Sequence, residues 1–395
     1  MDGREVRGAA ALAGIFFLRM LGLFMLLPVL ALYADRLAAA TPLLIGVALG
    51  IYGLTQAALQ IPMGRLSDRY GRKPVIATGL VVFAAGGALA ASGTHIVMVI
   101  AGRALQGAGA ISGAMLALAA DITRPQHRTK VMAIIGISIG FSFSAAFVLG
   151  PVIDAALGLS GLFWVAAALG LAAQPLLWFA VPNAAPVGRV DSATRDERRP
   201  PALMPLYVGV FCLHGILAAS FVSIPMLLTG GAGLPSAEHY SLYLPVIAGS
   251  ILCVGPLIML SHRTQLANAL YRFAIVLVIA GEAALWLVPP ETRLIGLALT
   301  AFFTGFNFLE ASLPSMVSRA APAAQRGAAL GTYATAQFVG MFAGGLIGGA
   351  LVGARGYGIV FAAMAVTAGG WLVYSLFAEP PPGPTAGADA DAGLR

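Results

Sequence analysis

The sequence predicts an all-α integral membrane protein of twelve helices, from three observations. Hydrophobic residues make up 59% of the chain, charged residues only 10%, and the apolar residues fall into long runs separated by short polar joins. A soluble domain carries about 25% charged residues and tolerates exposed apolar patches of only a few hundred Å². A bilayer core of roughly 30 Å asks for about 20 apolar residues per helix, so 395 residues allow about a dozen crossings.

The expected spans are 9–33, 43–63, 74–92, 96–120, 130–154, 161–182, 204–228, 241–261, 273–289, 294–317, 327–353 and 357–378. The first follows Arg4 and Arg7, and its apolar run exceeds the core of a signal peptide, so it is expected to stay in the membrane. The second and third are joined by GRLSDRYGRK, residues 64–73, with five charges in ten positions. The fourth carries Arg103 and ends near Asp121; the fifth follows Arg128 and contains Gly150 and Pro151; the sixth runs to a polar interval rich in Pro, Arg, Asp and Ser. Beyond that interval the seventh carries His214, the eighth ends at Arg263, the ninth follows Arg272, the tenth carries Asn307 and Glu310, the eleventh opens at Arg326 and the twelfth ends at Ala378.

Loop charge sets the orientation. With both termini on the cytoplasmic side, 18 Lys and Arg residues fall inside, three (Arg36, Arg293, Arg355) outside and two (Arg19, Arg103) within spans. The net charge of +7 is therefore the basic excess of cytoplasmic loops, which excludes a nucleic-acid binder. The expected organisation is a six-helix bundle over 1–182, a cytoplasmic linker over 183–203, a second bundle over 204–378 and a disordered tail over 379–395, too short to bury a core. A shift of 198 residues sets Arg65 on Arg263 and Arg128 on Arg326, as expected for parallel repeats. Cys212 and Cys253 have no His or Cys neighbour at ligand spacing, so no metal site is expected and both read as packing residues.

The 64–73 stretch resembles the signature turn of the major facilitator superfamily at Gly64, Leu66, Asp68, Arg69, Gly71, Arg72 and Lys73. Arg103, Gln106 and Gly107 fit that family's Arg-x-x-Gln-Gly element. Gly150-Pro151 is similar to the Gly-Pro signature of its drug:proton antiporters, although Ala146 and Asp154 depart from the surrounding pattern. The resemblance implies twelve helices in two pseudo-symmetric bundles and a cytoplasmic latch. In that latch Asp68 would dock near Gln325 to Ala328, Asp121 would pair with Arg72, and Arg128 could join them. The alternative for the same charges is simple anchoring at the headgroups.

An ionisable group inside a span costs about 2.5–3.5 kcal/mol, so each asks for a partner or a role. Arg19, Arg103, His214 and Glu310 fall on spans 1, 4, 7 and 10, which line the central cavity in that family. The depths of Arg19 and Glu310 differ by only a few ångströms at 1.5 Å per residue, so they are expected to pair, as a proton-coupling site with Asn307 one turn away or as a structural ion pair. Arg103 could take part in proton transfer or tie span 4 to span 1 through carbonyls. His214 could relay protons or simply pack. Asp35, Asp154 and Glu282 are expected at the outer interface. Phe24, Met25, Gln56, Gln60, Tyr333 and Gln337 are candidate substrate contacts. The resulting expectation is a monomeric transporter of the bacterial inner membrane, whose partners are a small-molecule substrate, protons and the lipid bilayer. It would be driven by the proton gradient without a cofactor, as an efflux antiporter or an uptake symporter. A sensor of the same fold is the rival from another class. No enzymatic motif is present.

Overall fold

Proline and glycine set several of the helix ends in this chain. The computed structural model describes residues 1–33, 36–182, 203–261, 266–322 and 325–378. Helix α1 (Gly3–Phe24) opens on a reciprocal cap, in which the Asp2 side chain accepts from the Glu5 amide and the Glu5 carboxylate from the Asp2 amide. It ends well short of the expected residue 33. Pro28 has no N–H for the Phe24 carbonyl, which Leu27 takes instead at 3.0 Å, and tighter turns follow into a 3₁₀ segment, Leu30–Tyr33.

Helix α2 (Pro42–Tyr70) starts at Thr41, whose hydroxyl accepts from the Leu44 amide. It runs past the expected end, so most of the charged 64–73 stretch is helix and not loop. The turn to α3 (Arg72–Ala91) narrows to Gly71, at φ 96° and ψ 151°, a conformation that L side chains rarely adopt. The expected fourth span is two pieces, α4 (Ile96–Ala108) and α5 (Ser112–Asp121), broken at Gly109 with ψ 43°. Helix α6 (Arg128–Pro175) continues into a wide turn, Leu176–Ala180, and Gly158 interrupts it at φ 66°. Then come α7 (Met204–Met226), α8 (His239–Ser261), α9 (Ala267–Leu287), α10 (Thr292–Ala320), α11 (Arg326–Arg355) and α12 (Gly358–Phe377). Among the described residues eleven segments are long and apolar enough to cross a bilayer, and the only β feature is an isolated bridge between Ala38 and His95. Arg128 and Arg326, matched by the 198-residue shift, each open a helix. Arg263, Asp35, the tail 379–395 and all of the expected linker except Leu203 lie outside the described residues.

Helices before the linker pack on one another, α1 on α6, α2 on α4, and α3 on α4 and α6. Those after it do likewise, α7 on α11 and α12, α9 on α10 and α12, and α8 on α10. The two sets meet where α2 lies on α11 and α6 on α8. Gly46, Gly50 and Gly53 of α2 face Gly345, Phe342 and Phe338 of α11 so closely that a Cβ on any of the three would strike the opposing backbone. On its other face α11 presents Gly340, Gly344 and Gly348 to Phe211, Gly215 and Ala219 of α7. Small residues at a spacing of four let helices approach where lipid offers no hydrophobic drive between them.

This seam lies at the start of α2 and the end of α11, away from the 64–73 turn. Beside it Phe147 and Phe143 of α6 meet Phe303, Phe306 and Phe221 with ring centroids 4.8–6.1 Å apart. At the turn end, by contrast, nothing stands within 4 Å of where a Cβ would be at Gly64, Gly327 or Gly331. Among the described residues the two sets are packed closely at the far end, while these three glycines at the turn have no close neighbour.

Gly46→Leu is expected to open the far end, because overpacking a close helix contact costs about 1–3 kcal/mol. Spin labels at Leu43 and Leu351 should report a longer mean distance in the variant; an unchanged distribution would show that the seam does not hold this conformation.

Candidate functional site

Two buried arginines share one tyrosine. Arg19 on α1 is fully buried. It donates through Nη2 to Tyr52 Oη at 2.9 Å, Gln56 Oε1 at 2.8 Å and the Gly109 carbonyl at 3.2 Å, and through Nη1 to Ser112 Oγ at 3.1 Å. The break between α4 and α5 frees the Gly109 carbonyl for this contact. Arg103 on α4 lies over the Tyr52 ring, 5.1 Å from its centroid, and donates to the Ala48 and Leu49 carbonyls and to Gln106 Oε1. Arg103 therefore ties α4 to α2, not to the first span. The expected Arg19–Glu310 pair does not form, because the guanidinium is turned into α2, α4 and α5. Tyr52 and Ser112 were missed in the sequence, where an isolated Tyr or Ser in an apolar run carries no signal of its own.

Glu310 instead meets His214. The carboxylate lies 3.4 Å from His214 Nε2, and its side chain is 37% exposed while that of His214 is buried. His214 Nδ1 is 3.2 Å from the Val210 carbonyl, Nε2 is 2.7 Å from Gln337 Nε2, and Phe306 lies against the ring at 5.7 Å. Asn307, one turn from Glu310, donates to Ser250 Oγ at 3.2 Å. Tyr333 is buried with no partner for its hydroxyl.

Most of the expected substrate contacts are engaged within the protein. Gln56 is buried on Arg19 and Ser112, Met25 is core, and Phe24 packs edge-on to Phe143 at 5.1 Å. Gln337 is held by His214, and Gln60 is buried with Oε1 unpaired. Gly150 of α6 lies against the Met25 carbonyl, which leaves no room for a Cβ, and Pro151 follows it. Asp154, expected at the outer interface, accepts from Tyr33 Oη at 2.6 Å. Glu282 is not at an interface at all: it is fully buried in α9 and accepts from Ser220 Oγ at 2.7 Å.

At the turn end Arg72 bridges two carboxylates. It pairs with Asp68 in one direction, and its Nε donates to Asp121 Oδ2 at 3.1 Å in the other, while Nη1 donates to Ser67 Oγ at 2.7 Å. Asp68 thus has its ion-pair partner within its own segment, not near Gln325 to Ala328, and its side chain is 62% exposed. Lys73 Nζ donates to the Val181 carbonyl at 2.6 Å, Arg69 lies over the Tyr70 ring, Leu66 is exposed, and Arg128 is exposed at the start of α6. A second clamp, absent from the sequence expectations, joins α1 to the segment after α5. Arg124 donates from its amide and Nε to Glu5 Oε1 at 2.9 and 3.0 Å and from Nη2 to Oε2 at 2.9 Å. That bidentate contact holds the Arg124 guanidinium above its ordinary pKa. No group of three or more potential metal ligands occurs among the described residues.

Residues 12–344 match the family model described as Major Facilitator Superfamily. The chain is 43% identical over 388 residues to the inner membrane transport protein YajR of Escherichia coli K12, covering 96% of this chain and 85% of that one. It is 33% identical over 351 residues to an uncharacterized transporter, BU466, of Buchnera aphidicola, covering 87% and 90%. In fold it resembles a bacterial homolog of the human lysosomal transporter Spinster in an inward-facing, occupied conformation, with a TM-score of 0.73 at 12% identity over 95% and 94% of the two chains. It also resembles the human organic anion transporter MFSD10, with a TM-score of 0.70 at 19% identity over 95% and 100%.

Tyr52→Phe removes an acceptor from a buried cation and should lower stability by about 1–3 kcal/mol. The check is the thermal midpoint in detergent; an unshifted midpoint would show that Arg19 does not depend on that hydroxyl.

Proposed function

The chain belongs to the major facilitator superfamily and is a multi-pass membrane transporter of that type; from this footing we propose that it couples the movement of a small molecule to protons, in the direction of export. The observation that carries the reading is the His214–Glu310 pair: two titratable side chains 3.4 Å apart, one buried and one partly exposed, on helices that meet across the aromatic cluster. An imidazole and a carboxylate at this distance can hold a proton as an ion pair or release it to leave a neutral ring and a bare carboxylate. Substrate entering beside Glu310 would compete for the same charge, which is the chemical basis of exchange.

In this proposal Lys130–Ala180 crosses the bilayer twice, since 51 residues are far longer than one span and Gly158 lets the chain reverse. That reading gives twelve crossings in two six-helix halves, with both termini cytoplasmic in a bacterial inner membrane. The glycine seam and the aromatic cluster would close the outer end, and the parted 64–73 end would face the cytoplasm. When the halves rock the other way, Asp68 would leave Arg72 for the start of α11, with Gly71 as the turn that allows it. The Gly150-Pro151 element supports export less directly. The protein would act as a monomer, without a cofactor or catalysis.

The test is flux in proteoliposomes under an imposed pH gradient, over a panel of compounds. Glu310→Gln is expected to reduce proton-driven flux at least tenfold; equal flux in the variant and the parent would remove Glu310 from coupling. Asp68→Asn is expected to slow transport while the protein still inserts, and normal flux would dismiss the latch.

A further inference from the structure

We propose that Gln337 is a positioning residue that reads the protonation state of His214 and passes it to the α2–α11 seam; this rests on the proton-coupling role proposed for the His214–Glu310 pair. The argument begins with the ring. Nδ1 faces the Val210 carbonyl, which can only accept, so Nδ1 carries the hydrogen whether the ring is neutral or charged. All change on titration is then confined to Nε2. That atom has two neighbours, the Gln337 amide nitrogen at 2.7 Å and Glu310 Oε2 at 3.4 Å.

These neighbours require opposite states. With Nε2 bare, the Gln337 amide donates to its lone pair, and Glu310 Oε2 has no hydrogen-bond partner, as the structure shows. With Nε2 protonated, two donors would stand 2.7 Å apart, so the amide must rotate to present Oε1 or withdraw, and Glu310 becomes the acceptor. A terminal amide is suited to this because its two ends are nearly the same size and opposite in hydrogen-bond sense. Gln337 therefore changes position or orientation with each proton, while an apolar side chain there would not.

The consequence reaches the seam through the next residue. Phe338 packs edge-on to the Tyr52 ring at 6.3 Å, and its carbonyl lies against Gly53 of α2. Tyr52 in turn carries Arg19 and Arg103. Where Gln337 withdraws instead of rotating in place, the displacement of α11 would fall at once on the close contact that holds the far end shut. The other ionisable groups on the helices packed against α7 do not pair with the ring. Arg319 donates to Ser315 and Arg326 to the Ser318 carbonyl; Asp68 pairs with Arg72; Arg69 lies over Tyr70; the buried Tyr333 sits near Glu310; and Arg65, Arg293 and Arg355 belong to the helix ends. Among the described residues Glu310 is the one titratable group in ion-pair range of the ring.

The experiment measures the Leu43–Leu351 spin-label distance in lipid nanodiscs from pH 5 to pH 8, with the titration of His214 followed by nitrogen NMR on the same samples. The full-length parent should show a pH-dependent change in distance that follows His214. Gln337→Leu, and Gln337→Met as a second variant should the first insert poorly, should still titrate at His214 but lose at least four-fifths of that distance change. A full-sized change in both variants would overturn the proposal. His214→Gln separates the two readings: if it abolishes the change while the Gln337 variants keep it, the proton site stands and the reader is lost. If the change persists without His214, the proton site itself is wrong.

Discussion

A guanidinium inside hydrocarbon must find its acceptors within the protein, and Arg19 (all but its Nε) and Arg103 do so around Tyr52, one through the hydroxyl and one over the ring face. That requirement shapes the helices around them. The fourth span breaks at Gly109 and gives up a carbonyl to Arg19; Gln56 and Ser112 turn inward to share it; Arg103 takes two carbonyls from the middle of α2. The result is a rigid joint among α1, α2, α4 and α5 in which no carboxylate takes part. Both guanidiniums are held by neutral acceptors and a ring face, which suits this joint to being a fixed element.

The seam between the two sets of helices depends on a different economy of atoms. Glycines on α2 and on both faces of α11 bring backbones together where side chains would hold them apart, so α11 is packed tightly on α2 and on α7 at the same time. A helix clamped on two faces cannot shift on one without shifting on the other. α11 thus stands between the His214–Glu310 pair on one side and Tyr52 on the other. The aromatic cluster of Phe143, Phe147, Phe221, Phe303 and Phe306 closes the same end by bulk.

The turn end is held by local ion pairs. Arg72 lies between Asp68 and Asp121, so the charges of the signature turn are satisfied locally while the helix ends are apart. The Arg72–Asp68 pair, with its carboxylate 62% exposed, contributes little stability, typically under about 1 kcal/mol. The Glu5–Arg124 clamp meanwhile anchors α1 beside Asp121 and keeps that carboxylate's helix end in place.

What the amino-acid sequence determined by itself was the medium, the approximate spans, the resemblance carried by 64–73 and the short roll of charges that needed an explanation. All of these follow from composition and from spacing along one chain, because hydrocarbon excludes charge wherever the chain is apolar for about 20 residues. Tertiary structure alone decided who meets whom. Arg19 and Glu310 were expected at similar depths, yet depth is one coordinate, and the direction in which each helix turns its side chains sent Arg19 to Tyr52 and Glu310 to His214. The glycine seam was present in the letters at 340, 344, 345, 348 and 349, but glycine is abundant throughout this chain, 49 in all, and only the opposing backbones distinguish a contact from a filler. Ends of helices were misjudged where Pro28, Gly71 and Gly109 acted on backbone hydrogen bonds, which hydrophobicity does not record.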